Sequence, residues 1–209
     1  MCGIFGSIYR DEFIRLYEAN KERGDSSIGV VCLSPSKFFM IKKQGTIDDI
    51  DIPSDYSLYL GHTRAPTGDS REFNPNDSHP FQCGYWIVGH NGIIRNFGSL
   101  QQKYAADFSF NVDSAIIPYL ISLHDTGNVV YAMRSALELL DGIYGLWMYD
   151  LKRHKLYLAR SASTVYYNEV SFSSRHVEGL QLLEEGYIYD FFERKTISQF
   201  SYSSPYFVV

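Results

Sequence analysis

Cysteine is scarce in this 209-residue chain, with three residues at positions 2, 32 and 83. An odd number at wide spacing, with no CxxC pair, excludes a disulfide framework and a thiolate-rich zinc site. At least one thiol therefore stands outside any intramolecular bridge. Excess positive charge is also lacking: 19 Lys and Arg stand against 24 Asp and Glu, a formal net charge of -5 with a pI near 5.6. No global basic field draws the chain to nucleic acid or an anionic membrane. Long apolar runs are missing too. The longest stretches free of Asp, Glu, Lys and Arg, 78–94 and 196–209, are broken by polar residues, Gly or Pro. Both are shorter than the roughly 18 to 20 residues of a membrane-spanning helix. The amino terminus runs MCGIFGSIY into Arg10, Asp11 and Glu12, without the basic start and cleavage region of a signal peptide, so residence in the cytoplasm is expected. Sixteen Gly and seven Pro, no internal repeat and no linker-like segment leave one globular domain over 1–209 as the expected organisation.

The pattern along the chain predicts strands first. Residues 2–9 are an apolar run bounded by charge, and 29–33 and 38–42 are two strands joined through Ser34, Pro35 and Ser36. Residues 11–23 carry Phe13, Leu16 and Tyr17 at helical spacing and stop at Gly24, the residue best suited to a left-handed helix end. Residues 58–63 and 85–90 are further strands, separated by a polar loop over 68–79. Helices are predicted over 113–124 and 129–141; the second sets Val129, Ala132, Met133, Ala136, Leu137 and Leu140 on one face. After residue 143, aromatic and β-branched runs at 143–149, 155–159, 165–172 and 186–192 suggest an antiparallel meander. Strands, helices, then strands imply an α+β layered fold with mostly antiparallel sheets.

Cys2 is the first candidate for chemistry. A small residue after the initiator methionine permits that methionine's removal, which makes Cys2 the terminus. One residue then carries an α-amine titrating near 7.7–8.0 and a thiol near ~8.5, a base and a nucleophile together. Its competing reading is a small buried apolar side chain. Other candidates also have structural readings. Asn91-Gly92 between apolar runs is a strong hairpin signal. Asp113 precedes a helix and suits an N-cap; Thr67 suits a local turn cap; Arg23-Gly24 suits a helix end, and Arg64 an exposed surface. His79 and His90 read as structural, and Cys32 and Cys83 as core.

The strings MCGIFG at 1–6, ERGDSSIG at 22–29, GHTRAPTGD at 61–69 and GHNGIIRN at 89–96 occur in order, followed by VDSAII at 112–117, LDGIYGLWMYD at 140–150 and LYLARSAS at 156–163. Together they resemble the glutaminase domain of class II glutamine amidotransferases, which are amino-terminal nucleophile (Ntn) hydrolases. The resemblance covers nearly the whole chain. It implies a four-layer αββα sandwich and a reaction in which the Cys2 thiol attacks the side-chain amide of L-glutamine. Ammonia leaves, and water hydrolyses the γ-glutamyl thioester. It assigns the oxyanion site to the Asn91 side chain and the Gly92 backbone, donors worth roughly 2.7–4 kcal/mol each in comparable sites. Arg64 corresponds to the arginine that clamps the substrate carboxylate, a task suited to its planar fork. Asp113 corresponds to the acceptor of the α-ammonium, Thr67 to a substrate-facing threonine, and Arg23 to the arginine closing the nucleophile end. No metal or organic cofactor is implied.

Three positions depart from the family pattern: Ser26 stands where an aspartate is usual, with Asp25 one residue early; Ala65 replaces an aromatic residue, and Gly68 a histidine. They bear on substrate closure and partner coupling more than on the nucleophile. In the resembled enzymes the domain is followed by, or bound to, a synthase that consumes the ammonia. Here a separate synthase chain is expected, with a free-standing hydrolase as the alternative, and the aromatic tail Phe200, Tyr202, Tyr206 and Phe207 is either the synthase contact or a buried final strand. Two alternatives remain open: hydrolysis of another γ-glutamyl amide, and a non-catalytic regulatory or binding subunit with the same fold.

Overall fold

The computed structural model describes residues 2–24, 26–64, 73–107 and 110–203. Its first elements are β1 (Gly3–Ser7), α1 (Arg10–Asn20), β2 (Ser27–Ser34), β3 (Lys37–Gln44), β4 (Leu58–Arg64), β5 (Phe81–Cys83) and β6 (Trp86–Ile94). Then come α2 (Phe97–Tyr104), α3 (Ile116–His124), α4 (Val129–Glu138), β7 (Gly142–Asp150) and β8 (Lys155–Ser161). The last are β9 (Tyr166–Tyr167), β10 (Ser171–Ser173), β11 (Gln181–Leu182), β12 (Tyr187–Asp190) and β13 (Lys195–Gln199). A seven-stranded sheet has the order β11-β9-β10-β1-β4-β2-β3, and a six-stranded sheet the order β13-β12-β8-β7-β6-β5. The ladders of β1 with β4, β2 with β3 and β7 with β8 are antiparallel, in keeping with the expected α+β class. No helix among the described residues is long and apolar enough to cross a membrane.

The chain divides into two compact units. The first comprises Met1–Pro80, Gly89–Asn91 and Thr164–Leu183. Its sheet holds β1 as an interior strand, paired with β4 on one side and β10 on the other. Helix α1 buries Phe13, Leu16, Tyr17 and Asn20, an i, i+3, i+4, i+7 stripe whose fourth member is polar. The apolar three pack with Phe5, Val30 and Tyr59, the Phe5 and Phe13 rings 5.1 Å apart. Asn20 is fully buried, and its amide is fully used: Nδ2 donates to the Leu16 carbonyl and to Ser173 Oγ, each at 2.8 Å, while Oδ1 accepts from Ser174 Oγ at 2.9 Å. Ser174 Oγ in turn accepts from the Ile4 backbone N–H at 3.0 Å. This polar hub ties α1 and the end of β10 to the nucleophile strand.

The second unit comprises Phe81–Val88, Gly92–Ser163 and Glu184–Val209. α3 and α4 pack Ile117, Leu120, Met133 and Leu137 with Trp86, Tyr144 and Leu146 of the sheet. Asn128 caps α4 by accepting from the Tyr131 N–H at 3.1 Å. Arg153 pairs with the buried Asp150 at 2.6 Å and with Asp125 at 3.0 Å, and Asp125 also accepts from Trp86 Nε1 at 3.2 Å.

Several expectations are revised. The run after residue 143 is not one meander: β7, β8, β12 and β13 follow that pattern in one sheet, whereas β9, β10 and β11 join the sheet of β1. Short two- and three-residue strands carry too little periodicity to declare their sheet. Gly24 is not left-handed; at φ 171 it continues as extended backbone after the 3-10 turn Lys21–Arg23. Cys32 is core, and burial pushes its thiol up to about 12, but Cys83 is only half-buried. Phe200 is buried in the second unit's core and Tyr202 is exposed; Tyr206 and Phe207 lie outside the described residues.

Removing the hub tests its weight. Asn20→Ala leaves two buried serine hydroxyls and the Leu16 carbonyl short of a partner, at roughly 1–3 kcal/mol for a buried group left unsatisfied. The denaturant midpoint is expected to fall by an amount equivalent to about 2–4 kcal/mol, whereas substitution of exposed Glu18 on the same helix leaves it unchanged.

Candidate active site

The site begins with the seating of Cys2. Gly3 of β1 lies opposite Thr63 of β4, so Cys2 and Arg64, the last residue of β4, sit at the same end of the sheet. A Cβ on Gly3 would come within 2.7 Å of Thr63 Oγ1 and 2.9 Å of Asn20 Oδ1. Only glycine lets β1 approach that hub, which gives the glycine after Cys2 a packing reason. Cys2 is half-buried, and its sulfur is not in a disulfide.

Asn91 is 4% exposed and lies within β6, not in a turn. The hairpin reading of Asn91-Gly92 is thus overturned; the apolar residues on either side belong to one continuous strand. With its amide oriented to satisfy both neighbours, Asn91 Nδ2 donates to the Cys2 carbonyl at 2.7 Å and Oδ1 accepts from Arg23 Nη1 at 3.3 Å. Arg23, from the 3-10 turn that follows α1, is half-buried. Burial, and then repulsion from Arg175, holds its guanidinium below the usual arginine range, while attraction to Cys2 acts the other way. The Arg64 carbonyl accepts from the Ser26 N–H at 3.1 Å and Ser26 Oγ at 2.8 Å. The serine at the departing position therefore anchors the strand end.

Gly92 and Asp113 belong to the second unit. Gly92 has φ 153, and a Cβ there would lie 1.8 Å from the Ile143 carbonyl oxygen, so no side chain fits. Asp113 does not cap α3. The helix is entered through a 3-10 turn, Asp113–Ala115, whose N-cap position is Val112 with no side-chain cap bond. The Asp113 carboxylate instead accepts from the Ile94 N–H at 2.7 Å and from Ser114 Oγ at 3.1 Å. The structure thus brings Cys2, Arg23 and Asn91 together within the first unit, with Arg64 at the same strand end. Thr67 lies outside the described residues, as do Asp25, Ala65 and Gly68.

Behind this cluster lies a feature only partly visible in the sequence. His62 joins His79 and His90 in a buried group: the His62 and His79 rings stack with centroids 3.8 Å apart and 14° between planes, and His79 and His90 are 6.1 Å apart. His62 Nε2 donates to the His90 carbonyl at 3.0 Å, since a carbonyl can only accept. The paired Gly-His dipeptides at 61–62 and 89–90 are the available signal. Burial pushes the His62 imidazole down to about 3 and drives His79 well below its ordinary value, with neighbouring His90, Arg64 and Lys42 adding to the effect. Among the described residues, no group of three or more His, Cys, Asp or Glu is arranged to hold a metal ion.

The fold has close counterparts. The glutamine phosphoribosylpyrophosphate amidotransferase of B. subtilis aligns with a TM-score of 0.77 at 19% identity, over 96% of this chain and 49% of that one. A predicted glutamine amidotransferase from Pseudomonas aeruginosa PA01 aligns with a TM-score of 0.57 at 12% identity, over 95% of both chains. The class so defined is the α+β fold of the Ntn-type amidotransferases. At the sequence level, a family model described as a glutamine amidotransferase domain matches residues 70–176. Glutamine–fructose-6-phosphate aminotransferases (isomerizing) of Symbiobacterium thermophilum and Geobacillus kaustophilus are 30% and 32% identical, over 70% and 78% of this chain. The chain belongs to the class II glutamine amidotransferases, a family of enzymes. It spans 26% and 29% of the length of those two aminotransferases.

The buried histidines set a pH dependence. A histidine whose folded pKa lies below its unfolded value contributes stability that is complete above the unfolded value and is lost as pH falls. Stability is expected to be flat above pH 6.5 and to decline from there toward about 3 for His62, beginning before carboxylates titrate. Denaturant titrations at stepped pH check this, with His79→Phe expected to make the decline shallower.

Proposed function

We propose that residues 1–209 act as one glutaminase domain in the cytoplasm, hydrolysing L-glutamine through Cys2 at the mature amino terminus. The α-amine of Cys2 takes the thiol proton as Sγ attacks the substrate's carboxamide carbon. That proton passes to the leaving nitrogen, and ammonia departs as the thioester forms. Water then adds to the thioester, glutamate leaves, and the thiol is restored. Asn91 Nδ2 and the Gly92 N–H are proposed to stabilise the oxyanion formed in each half-reaction. Arg64 takes the substrate carboxylate and Asp113 its α-ammonium, while Thr67 and Arg23 close the pocket. Ammonia is mostly ammonium at neutral pH and then a poor nucleophile, so we further propose delivery by protein contact to a synthase on a separate chain.

The observation that most supports this reading is the placing of the Asn91 amide against Cys2, at 2.7 Å from its carbonyl and within reach of Arg23. Asn91 is thereby buried at the nucleophile without a structural turn to account for it. Asp113 keeps acceptor capacity beyond its two bonds, since an ionised carboxylate has about four lone-pair sites.

Cys2→Ala is expected to abolish ammonia release from glutamine and labelling by a diazoketone glutamine analogue, and Asn91→Ala to lower kcat by about 10²–10³ with the label still bound covalently. Intact mass should show the active species without Met1. Glutamine hydrolysis by the Cys2→Ala protein would falsify the assignment.

A further inference from the structure

We propose that His62 is a positioning residue for glutamine hydrolysis, holding Asn91 in register with Cys2 through its hydrogen bond to the His90 carbonyl; the inference rests on the function proposed above. His62 lies opposite Ile4 in the β1–β4 ladder, two residues along the strand from the nucleophile. From that position its Nε2 reaches the His90 carbonyl at 3.0 Å, and this carbonyl shares a rigid peptide plane with the Asn91 N–H. Asn91 returns to Cys2 through its side-chain nitrogen. The contacts form a closed circuit, Cys2 to Ile4, across to His62, over to His90, on to Asn91 and back to Cys2, and all of it lies within the first unit. His62 is the point where β4, the strand paired with β1, is bonded to the segment carrying Asn91.

The imidazole is built to hold one geometry. It is 1% exposed, and the His79 ring stacked on it at 3.8 Å restricts its plane. The His79 backbone packs directly against β2, where a Cβ on Gly29 would lie 2.0 Å from the His79 carbonyl oxygen. His62 remains neutral at physiological pH because burial disfavours its charged form, so it adds no charge to the buried group and does not compete with the α-amine as base. A misplacement of about 1 Å at a reacting group can cost about 100-fold in rate, which sets the scale for losing this tether.

The test compares His62→Leu, which removes the donor, with His62→Gln, whose amide nitrogen falls close to the position of Nε2. His62→Leu is expected to lower kcat for glutamine by about 10- to 100-fold with KM changed less than about twofold, and to leave the iodoacetamide reaction rate of Cys2 unchanged. His62→Gln should recover most of kcat. Hydrogen exchange at the Asn91 amide, which requires no turnover, should speed up in His62→Leu and return in His62→Gln. If His62→Leu does not fold, His62→Asn, one methylene too short, replaces it in the same comparison. Unchanged Asn91 exchange in the donor-lacking variant, or a His62→Gln protein no more active than His62→Leu at equal thermal stability, overturns the proposal. A wild-type protein inert toward glutamine whose Asn91 exchange still follows the His62 donor overturns the function assigned above while the tether itself stands.

Discussion

The constraint on which the rest depends is the burial of β1 between two partners. A strand holds one geometry only where its partners offset the conformational entropy lost on fixing its backbone. Here β1 is interior, its five residues laddered to β4 and its last three also to β10. The Asn20 hub then fixes the start of the strand from behind, through Ser174 to the Ile4 N–H. Ser174 also donates its own backbone N–H to the Ile4 carbonyl at 2.8 Å, so both polar backbone groups of Ile4 are held by one residue. A side chain at position 2 can be placed this firmly only because the backbone immediately after it has little freedom left.

Much of this is legible in the sequence, and the limits have physical causes. Strands β1 to β4 and helices α1 and α4 are marked by apolar runs, helical spacing and turn residues. The apolar members of the α1 stripe stand out, but Asn20, next on the same face, does not, because a polar residue looks like the end of a stripe. What reveals it is burial, with both ends of its amide satisfied. Helix α2 leaves a weak trace although Phe97, Leu100 and Tyr104 recur at helical spacing, since only Leu100 is buried. Asp113 shows the reverse case. Its place before a helix suggests a cap, but the chain enters α3 through a 3-10 turn, and the carboxylate is aimed at the Ile94 N–H instead.

The candidate site is legible mainly as a set of short strings, because glycines and small polar residues carry almost no periodicity. Gly3 and Gly92 illustrate why such strings are demanding. Each is required by an approach of other groups to well under normal contact distance of a Cβ, 2.7 Å from a threonine hydroxyl in one case and 1.8 Å from a backbone carbonyl in the other. Neither requirement can be worked out from neighbours in sequence. The histidine group is partly visible: His79 and His90 read as structural, and their burial agrees with that, but the bond from His62 to the His90 carbonyl joins strands distant in the chain.

Electrostatics around Cys2 run opposite to the chain as a whole. The net charge is -5, yet Arg23 interacts with Cys2 and Arg64 ends the strand beside it, with Arg175 close enough to repel Arg23. Glu22 pairs with Arg175 at 3.1 Å, but Glu22 is largely exposed and Arg175 partly so, where solvent screening leaves such a pair worth little. At the position where the family resemblance leads one to expect an aspartate, Ser26 secures the Arg64 carbonyl with two neutral hydrogen bonds. The strand end is held without adding a carboxylate, so the local positive field is not cancelled from that side. A positive field draws an anionic carboxylate, and the stacked histidines, kept neutral by burial, do not add to the repulsion that Arg23 already experiences.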